Sequence, residues 1–443
     1  MDFYRIKERT TKSGTLEIFP DFTVGKSKDL MVRGKSFYAI WDAAASLWST
    51  DEYDVQRLVD EDLNRYAEEV RTRFQGSIHI LKMGDFSSGS WRAFKNYLSL
   101  LADNSKILDE KVTFLNTEVQ KHDYISKRLP YPLGAGDISA YDEIASTLYT
   151  PQQRDKFEWA IGSIIAGDAR YIQKFIVFYG PAGAGKSTII NVIQELFPGY
   201  YATFEAAALT GTSNTFATEV FRSNPLIAIQ HDGDLSQIKD NSKLNSIISH
   251  EEMTMNEKFK SSYTARINAF LIMGSNKAVK ITDAKSGLIR RLIDIQPTGE
   301  KVPVKRYTAL VAQMKFELGA IAQHCLDRYR ELGRDYYSDY KPIEMMLQTD
   351  SFYNYVEHYY DLFTEQDAVT LEHAYALYRE YTVQSGIEYQ LPSYKFREEL
   401  KNYFKEFHIR AKINGEMEHS VFKGFDISTF YIEEQKEVPL SLI

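Results

Sequence analysis

The stretch Phe175-Ile-Val-Phe-Tyr-Gly-Pro-Ala-Gly-Ala-Gly-Lys-Ser-Thr188 decides the fold of this chain. Its first five residues are apolar, β-branched or aromatic, which predicts a fully buried strand over 175–179. The next nine fit the pattern G-x-x-x-x-G-K-S/T, and the helical apolar period that follows them stops at Pro198-Gly199. A chance match on an ordinary strand–turn–helix is the alternative, and the buried strand and helix on either side argue against it.

This loop has the composition that binds the phosphates of a nucleotide. Glycines let several backbone N–H groups converge on an anion, and the start of the following helix adds its positive end. Lys186 would reach the outer phosphates, and the Ser187 hydroxyl would ligate Mg²⁺. The predicted nucleotide-binding residues are Gly180, Pro181, Ala182, Gly183, Ala184, Gly185, Lys186, Ser187 and Thr188.

Composition and charge exclude several classes of protein. The 443 residues contain 53 Lys and Arg against 61 Asp and Glu, a formal charge of −8, so any nucleic-acid binding must rest on a local basic patch. The single cysteine, Cys325, cannot form an internal disulfide, and there is no apolar stretch of about 18 residues that would cross a membrane. We therefore expect a cytoplasmic protein with two to four domains of roughly 100–200 residues each.

Two further apolar runs, Leu226–Gln230 and Phe270–Met273, predict buried strands that alternate with helices, and hence an α/β fold with a parallel sheet. Carboxylates at the end of such a strand hold Mg²⁺ and orient the attacking water, so Asp232 is the first candidate and Asp234 the second. The alternative is that both aspartates only form a turn. We expect His231 to pack or to position a water, because no second cluster of zinc ligands accompanies it.

Polar residues also follow the third strand and an apolar run further on. Asn276 would lie at the edge of the sheet where ligands of open α/β folds bind, and would sense the outer phosphate; a turn asparagine is the alternative. Arg290 or Arg291 would stabilise phosphoryl transfer at a neighbouring subunit's nucleotide, whereas a surface or salt-bridge role is the alternative. The predicted catalytic residues are Lys186, Asp232, Asp234, Asn276, Arg290 and Arg291, and the predicted metal ligands are Ser187 and Asp232.

A basic hairpin is predicted between the second and third strands, over residues 253–266. Two short alternating stretches flank a polar tip in which Lys258, Phe259 and Lys260 place an aromatic ring between two ammonium groups. That composition is typical of a loop that grips a nucleic-acid backbone. A solvated hairpin is the alternative, and it would be preferred if the hairpin stood alone.

The order of these features is more specific than any one of them. The phosphate loop, acid-ended strand, Lys-Phe-Lys hairpin and Gly-Ser-Asn strand lie within the 90 residues between Lys186 and Asn276, and Arg290-Arg291 follows. This order resembles that of superfamily 3 helicases, specifically the phage and poxvirus-type modules that are often fused to a primase. The likeness extends upstream through Leu148-Tyr-Thr-Pro-Gln-Gln-Arg154 and covers roughly residues 110–425.

The resemblance implies an AAA+-like ATPase that uses ATP and Mg²⁺. It further implies a homohexameric ring around one DNA strand, moving 3′ to 5′, with Lys258 and Lys260 lining the central channel. Arg290 or Arg291 would act across the subunit boundary, and a primase or polymerase would be a possible partner. If a phage encodes the chain, the bacterial host cytoplasm is the expected compartment.

One departure from the family's pattern leaves the catalytic carboxylate open. The family's second motif usually ends in adjacent acids or in an acid after a small polar residue. Here it reads Gln230-His-Asp-Gly-Asp234, so the choice between Asp232 and Asp234 is undecided. No paired-aspartate metal motif lies in the first 130 or so residues, and primase activity is not predicted. Two other functions remain as alternatives: another AAA+-like DNA motor, such as an origin initiator or packaging ATPase, and a nucleotide-gated assembly scaffold.

Three domains are predicted along the chain. Helical spacing of apolar residues from Tyr38 through Trp48, and again over 55–70, indicates an α-rich N-terminal domain over 1–135 with a collar, oligomerisation or accessory role. The ATPase domain would occupy 136–300, and 301–443 would hold a helical segment and a winged-helix-like domain. On its third helix Arg397, Lys401 and Lys405 would form a basic, DNA-facing stripe; a solvated face is the alternative, because Glu398 and Glu399 lie alongside.

Overall fold

The structure, a computed structural model, describes residues 1–84, 87–210, 217–235, 240–255, 263–279, 287–343, 345, 351–366, 368–385, 390–413 and 415–429. The chain divides into two units, residues 1–133 and residues 134–443. No helix in the described ranges has the length and apolar character that a membrane crossing needs.

The first unit mixes strands and helices, so the prediction of an α-rich domain is wrong. Its elements are β1 (Arg5–Thr10), β2 (Leu16–Asp21), β3 (Leu30–Arg33), β4 (Ser36–Asp42), β5 (Leu47–Ser49), α1 (Glu52–Arg71), β6 (Ile78–Ile80) and α2 (Gly89–Leu100). The strands form two three-stranded sheets, in the orders β1-β2-β6 and β3-β4-β5. Helix α1, which the apolar period over 55–70 predicts, is confirmed.

The segment from Tyr38 to Trp48 forms strands and not the predicted helix. The chain reverses through Ser46, which has a left-handed φ of 51°. Trp41 then pairs with Trp48 across β4 and β5, and their ring centroids are 5.7 Å apart. Packing across neighbouring strands stabilises aromatic side chains more than a helix does. Over a dozen residues this stabilisation outweighs the helical preference that a spacing of three or four residues indicates.

The second unit contains a five-stranded parallel sheet. Its first elements are α3 (Ser139–Leu148), α4 (Pro151–Ala166), β7 (Phe175–Tyr179), α5 (Lys186–Leu196), β8 (Tyr201–Thr203), α6 (Ala206–Leu209), β9 (Ile227–Gln230), α7 (Ser242–Ile248), β10 (Glu252–Met255), β11 (Tyr263–Arg266), β12 (Phe270–Ser275), β13 (Leu292–Ile295) and α8 (Val304–Leu332). The strand order is β13-β7-β12-β9-β8, with every neighbouring pair parallel. The three predicted buried strands are confirmed, and two edge strands, β8 and β13, are added.

Burial on both faces explains why strand β7 is an unbroken apolar run. Phe175, Ile176, Val177 and Phe178 of β7 are each at most 2% exposed. Helices α4 and α8 approach closely at Gly162, where a Cβ would lie 2.1 Å from the Cys325 carbonyl oxygen. The two helices are therefore in direct contact at this glycine.

The C-terminal part of the second unit ends in a small antiparallel sheet. Its elements are α9 (Ser351–His358), α10 (Tyr360–Glu365), β14 (Ala368–Thr370), α11 (Leu371–Gln384), α12 (Ser393–Leu400), β15 (Phe404–Ile413) and β16 (Glu416–Phe425). The sheet has the order β14-β16-β15. Of the predicted turn at 414–415, Asn414 lies outside the described residues, and Gly415 adopts a left-handed φ of 94°.

The predicted basic stripe on the third helix of this region is wrong. Helix α12 ends at Leu400, and Lys405 lies on β15 because the aromatic residues from Phe404 onward pair with β16. Arg397 and Lys401 both make ion pairs with Glu398, at 3.0 and 2.9 Å. The solvated, ion-paired face is therefore the arrangement that the structure shows.

Candidate functional site

The loop between β7 and α5 is shaped by its glycines. Gly183 and Gly185 adopt left-handed φ values of 76° and 94°, which side chains with a Cβ rarely take. At Gly185 a Cβ would also lie 2.8 Å from Cδ2 of Leu148, at the end of α3. The loop therefore turns tightly into α5, whose first N–H groups have no intrahelical acceptors and are available to an anion.

Lys186 is drawn into this loop and is only 7% exposed. Its ammonium nitrogen donates to the carbonyl oxygens of Gly180 and Pro181, at 2.6 and 2.8 Å, and to Oδ1 of Asn276 at 2.7 Å. Burial lowers the pKa of Lys186 below its ordinary value, although the Asp232 carboxylate acts in the opposite direction. The lysine is thus held at the mouth of the loop by acceptors that a phosphate oxygen can replace.

Asn276 connects this lysine to the acidic strand end. Its Oδ1 accepts from Lys186, so its Nδ2 faces Asp232 and lies 3.3 Å from that residue's Oδ1. The three side chains follow the ends of β12, β7 and β9, which are neighbours in the sheet. Parallel pairing therefore brings Lys186, Asn276 and Asp232 together at the carboxyl edge, although 90 residues separate the lysine from the asparagine.

The two candidate aspartates have different surroundings. Asp232 lies beside the Lys186–Asn276 pair, whereas Oδ2 of Asp234 forms an ion pair with Nζ of Lys277 at 2.7 Å. The side chains of Asp234 and Lys277 are 49% and 64% exposed, so water screens this pair strongly. Of the two carboxylates, Asp232 is the one next to the phosphate-loop lysine.

Two glycines that the sequence analysis did not single out let these strand ends approach. The Gly233 N–H donates to the Gly274 carbonyl oxygen at 2.7 Å. A Cβ on Gly233 would lie 2.3 Å from Sδ of Met273, and one on Gly274 would lie 2.3 Å from the His231 carbonyl oxygen. The visible signal is a glycine within two residues of the polar side chain in each case, Gly233 beside Asp232 and Gly274 before Asn276.

Gln230 and His231 support the strand end from either side. Oε1 of Gln230 accepts from the Ala206 N–H at 2.8 Å, and its Nε2 lies 3.3 Å from the Asp232 carbonyl oxygen. Nε2 of His231 lies 2.8 Å from Oε1 of Gln194 on α5. His231 therefore packs against the helix, and Gln230 is a supporting residue that the sequence analysis did not identify.

The two arginines have opposite environments. Arg291 is 6% exposed; its Nη1 donates to the Gly287 carbonyl oxygen at 2.6 Å, and its Nε and Nη2 donate to Oγ of Ser249 at 3.0 and 2.5 Å. Burial, together with the adjacent Arg290 charge, lowers the pKa of the Arg291 guanidinium. Arg290 is exposed, and its guanidinium has no hydrogen-bond or ion-pair partner among the residues that the structure describes.

Neither arginine lies near Lys186. Both belong to a short turn, Ile289–Arg291, that leads into β13, and Leu292 of β13 is level with Phe175 of β7. This turn is therefore at the amino edge of the sheet. The five residues of β7 separate it from the phosphate loop by about 16 Å.

The predicted hairpin is present as an antiparallel pair, with Glu252 opposite Arg266 and Met253 opposite Ala265. Its tip residues Lys258, Phe259 and Lys260 lie outside the described residues. Their contact with DNA stays a prediction.

The oxygen donors at the loop suit a hard cation. The Ser187 hydroxyl and the Asp232 carboxylate are ligands that Mg²⁺ accepts, with water and phosphate oxygens filling the other positions. Within the described ranges no group of three or more His, Cys, Asp and Glu side chains is placed to hold a metal. A cavity of about 910 Å³ lies along α5, lined by Thr188, Asn191, Glu195 and Tyr307 among others, and touches the phosphate loop only at Thr188.

Comparison with known proteins gives one family match and several structural matches. Residues 178–291 match a family described as a family of unknown function, DUF5906. This segment begins at Phe178 in β7 and ends at Arg291, so it contains every predicted catalytic residue.

The structural matches are to the C-terminal region of NrS-1. An apo structure of that region, residues 305–718, is similar at 13% identity with a TM-score of 0.42, over 67% of this chain and 78% of that chain. An A-form apo structure gives the same values, and another A-form structure of residues 305–718 gives a TM-score of 0.39 at the same identity and coverage.

Proposed function

We propose that residues 134–443 form a P-loop NTPase of the AAA+-like kind, and that the protein is an ATP-dependent replicative DNA helicase of a phage or mobile element. The observation that carries this proposal is the Lys186–Asn276–Asp232 network at the carboxyl edge of a parallel sheet, next to a glycine-shaped loop. The order of motifs along the chain, which resembles that of superfamily 3 helicases, supplies the DNA-motor part of the proposal.

Each group in the network has a role in phosphoryl transfer. The N–H groups at the start of α5 hold the phosphates, and Lys186 exchanges its bonds to the Gly180 and Pro181 carbonyl oxygens for bonds to the outer phosphates. Ser187 and Asp232 hold Mg²⁺, which neutralises charge on the outer phosphates when it is bound. Asn276 contacts both Lys186 and Asp232, so a change at the outer phosphate reaches the carboxylate through one side chain.

Arg290 is proposed as the residue that acts in trans. Its turn is at the amino edge of the sheet, about 16 Å from its own phosphate loop, and so it cannot reach that loop. Arg291 is not the candidate, because its donors already bond to Gly287 and Ser249. A trans role requires a second copy of the chain. Repetition of one such head-to-tail contact gives a ring when its rotation closes, and we propose a closed ring of six copies.

The hairpin formed by β10 and β11 is proposed to present Lys258, Phe259 and Lys260 to single-stranded DNA in the ring's channel. The C-terminal elements from α10 to β16 have the helix, strand, helix, helix, hairpin order of a winged helix, and we propose that fold for them. Helix α12 is not proposed as a DNA-facing helix, since Glu398 forms ion pairs with Arg397 on the helix and with Lys401 just after its end.

The test is strand displacement on forked DNA with a 3′ tail and, separately, with a 5′ tail. With ATP and Mg²⁺, we expect displacement from the 3′-tailed fork only, and its loss in Lys186→Ala. ATP turnover without displacement on either fork would favour an origin initiator or packaging ATPase. ATP-dependent assembly without turnover would favour the scaffold, for which the separated acids of Gln230–Asp234 are the motivating observation.

A further inference from the structure

Three buried basic side chains lie at the amino edge of the sheet, opposite the phosphate loop. Lys174, His250 and Arg291 are 6%, 7% and 6% exposed. Lys174 and His250 contact backbone carbonyl oxygens of segments that lie far from them in sequence. Arg291 contacts the carbonyl oxygen of Gly287, which lies on the other side of a turn. The phosphoryl-transfer steps proposed above use none of these three side chains.

Lys174 and Arg291 hold the turn that carries Arg290. Nζ of Lys174 donates to the Arg290 carbonyl oxygen at 2.6 Å, and Nη1 of Arg291 donates to the Gly287 carbonyl oxygen at 2.6 Å. The backbone on both sides of the exposed guanidinium is therefore fixed, while the Arg290 side chain stays accessible. If this turn could move, the Arg290 guanidinium would stabilise phosphoryl transfer less well, because catalytic groups depend on sub-ångström placement.

The same turn is tied to the foot of the β10–β11 hairpin. Nε and Nη2 of Arg291 donate to Oγ of Ser249. Ser249 caps the end of α7 and directly precedes His250. His250 adopts a left-handed φ of 54°. From there the chain enters β10 at Glu252.

His250 closes the connection from the other strand of the hairpin. Its Nδ1 lies 2.9 Å from the Ile267 carbonyl oxygen, just after β11, and its Nε2 lies 3.1 Å from the Ile172 carbonyl oxygen, just before β7. Ser249 and His250 thus join both ends of the hairpin to the sheet and to the Arg290 turn. Buried polar contacts of this kind resist separate movement, because breaking a hydrogen bond there leaves an unpaired buried group.

We propose that Arg291 is a positioning residue that links the Arg290 turn to the hairpin foot through Ser249, so that a displacement of the hairpin by DNA changes how Arg290 meets the neighbouring copy's nucleotide. This inference rests on the proposed function and names the regulation of its trans site. It assigns different roles to two adjacent arginines: Arg290 acts on the nucleotide, and Arg291 transmits the position of the hairpin.

Ser249→Ala is the sharpest test, because it removes the link and leaves the turn in place. The variant loses the acceptor of two Arg291 donors, while the bonds from Arg291 to Gly287 and from Lys174 to Arg290 remain. Ser246→Ala is the matched control: Ser246 lies on α7, three residues before Ser249, but its hydroxyl donates to Glu251 at 2.7 Å and does not contact Arg291. Ser249→Thr keeps the hydroxyl and is the conservative rescue.

The measurement is steady-state ATP turnover of the full chain, with and without saturating single-stranded DNA, beside the Km for ATP. In Ser249→Ala we expect basal turnover and Km within about twofold of the parent, and a loss of DNA stimulation of at least about fivefold in kcat. Ser246→Ala and Ser249→Thr should retain stimulation. A general structural role would instead lower basal and stimulated turnover together.

Two results would overturn the inference, and they are distinguishable. Stimulation in Ser249→Ala equal to that in Ser246→Ala would show that the link does not transmit, while leaving the proposed motor intact. The proposed function itself, and the inference with it, would be overturned if DNA did not stimulate ATP turnover of the parent protein at all. It would also be overturned if Lys186→Ala did not abolish that turnover.

Discussion

Gly185→Ala separates backbone strain from steric conflict in the phosphate loop. The left-handed φ of 94° costs an alanine about 1–2 kcal/mol. The new Cβ would also lie 2.8 and 2.9 Å from the two methyl carbons of Leu148, which adds about 1–3 kcal/mol of overpacking. We therefore expect the free energy of unfolding to fall by about 2–5 kcal/mol, and ATP affinity to fall because the loop must shift.

Gly183→Ala is the matched control for this experiment. Gly183 also has a left-handed φ, 76°, but a Cβ there meets nothing within 4 Å, so only the strain of about 1–2 kcal/mol applies. Adding Leu148→Ala to Gly185→Ala should remove the steric share, so the double variant should cost about 1–3 kcal/mol less than the sum of the single variants.

The assays are urea unfolding of the full chain followed by intrinsic fluorescence, and titration with a fluorescent ATP analogue. Equal losses of stability in Gly185→Ala and Gly183→Ala would refute the steric argument. Strict additivity in the double variant would refute it as well. An unchanged affinity for the ATP analogue in Gly185→Ala would contradict the assignment of this loop to phosphate binding.

Three further predictions concern the two edges of the sheet. Asp232→Asn should lower kcat for ATP by at least about 100-fold while Asp234→Asn stays within about fivefold, because only Asp232 adjoins Asn276; steady-state turnover checks this, and the reverse ranking would sink the choice of carboxylate. Arg290→Ala should be inactive alone yet regain part of its turnover when mixed with Lys186→Ala, since a mixed interface restores one complete site; no recovery at any mixing ratio would contradict a trans role. Burial lowers the pKa of Lys174 to about 8, below the roughly 10.4 expected in the unfolded chain, so the unfolded state binds this proton more tightly. The free energy of unfolding should therefore rise by about 1–2 kcal/mol between pH 8 and 9.5, and chemical unfolding of Lys174→Met should lack this share of the rise.

The strands that the sequence predicts correctly are those that are buried on both faces, because such burial leaves a continuous apolar run in the sequence. β7, β9 and β12 are apolar runs bounded by polar or glycine residues, because both of their faces are covered. Of the edge strands, β8 is only three residues long, and Asp294 interrupts the apolar run of β13. In the first unit the aromatic residues of β4 and β5 repeat at a helical spacing by coincidence, and cross-strand packing between Trp41 and Trp48 decides their structure.

In the candidate site, the local sequence pattern specifies which functional groups are present, and the order of the strands specifies which side chains become neighbours. A buried strand, a glycine-rich turn and a helix start require only contacts within about a dozen residues, so the phosphate loop from Gly180 to Thr188 can be read directly from the chain. Which carboxylate adjoins Lys186 depends on the order of β7, β12 and β9, since that order places Asn276 between them.

The choice between the two arginines depends on tertiary structure for the same reason. Arg290 and Arg291 are adjacent in sequence and chemically identical, and only the fold buries one against Ser249 and leaves the other exposed. A sequence pattern records what a segment of about a dozen residues can do by itself. Contacts between segments that lie 40 to 140 residues apart, such as Arg291 with Ser249 or Lys156 with the Asp294 carbonyl oxygen, exist only after the sheet and its helices have packed.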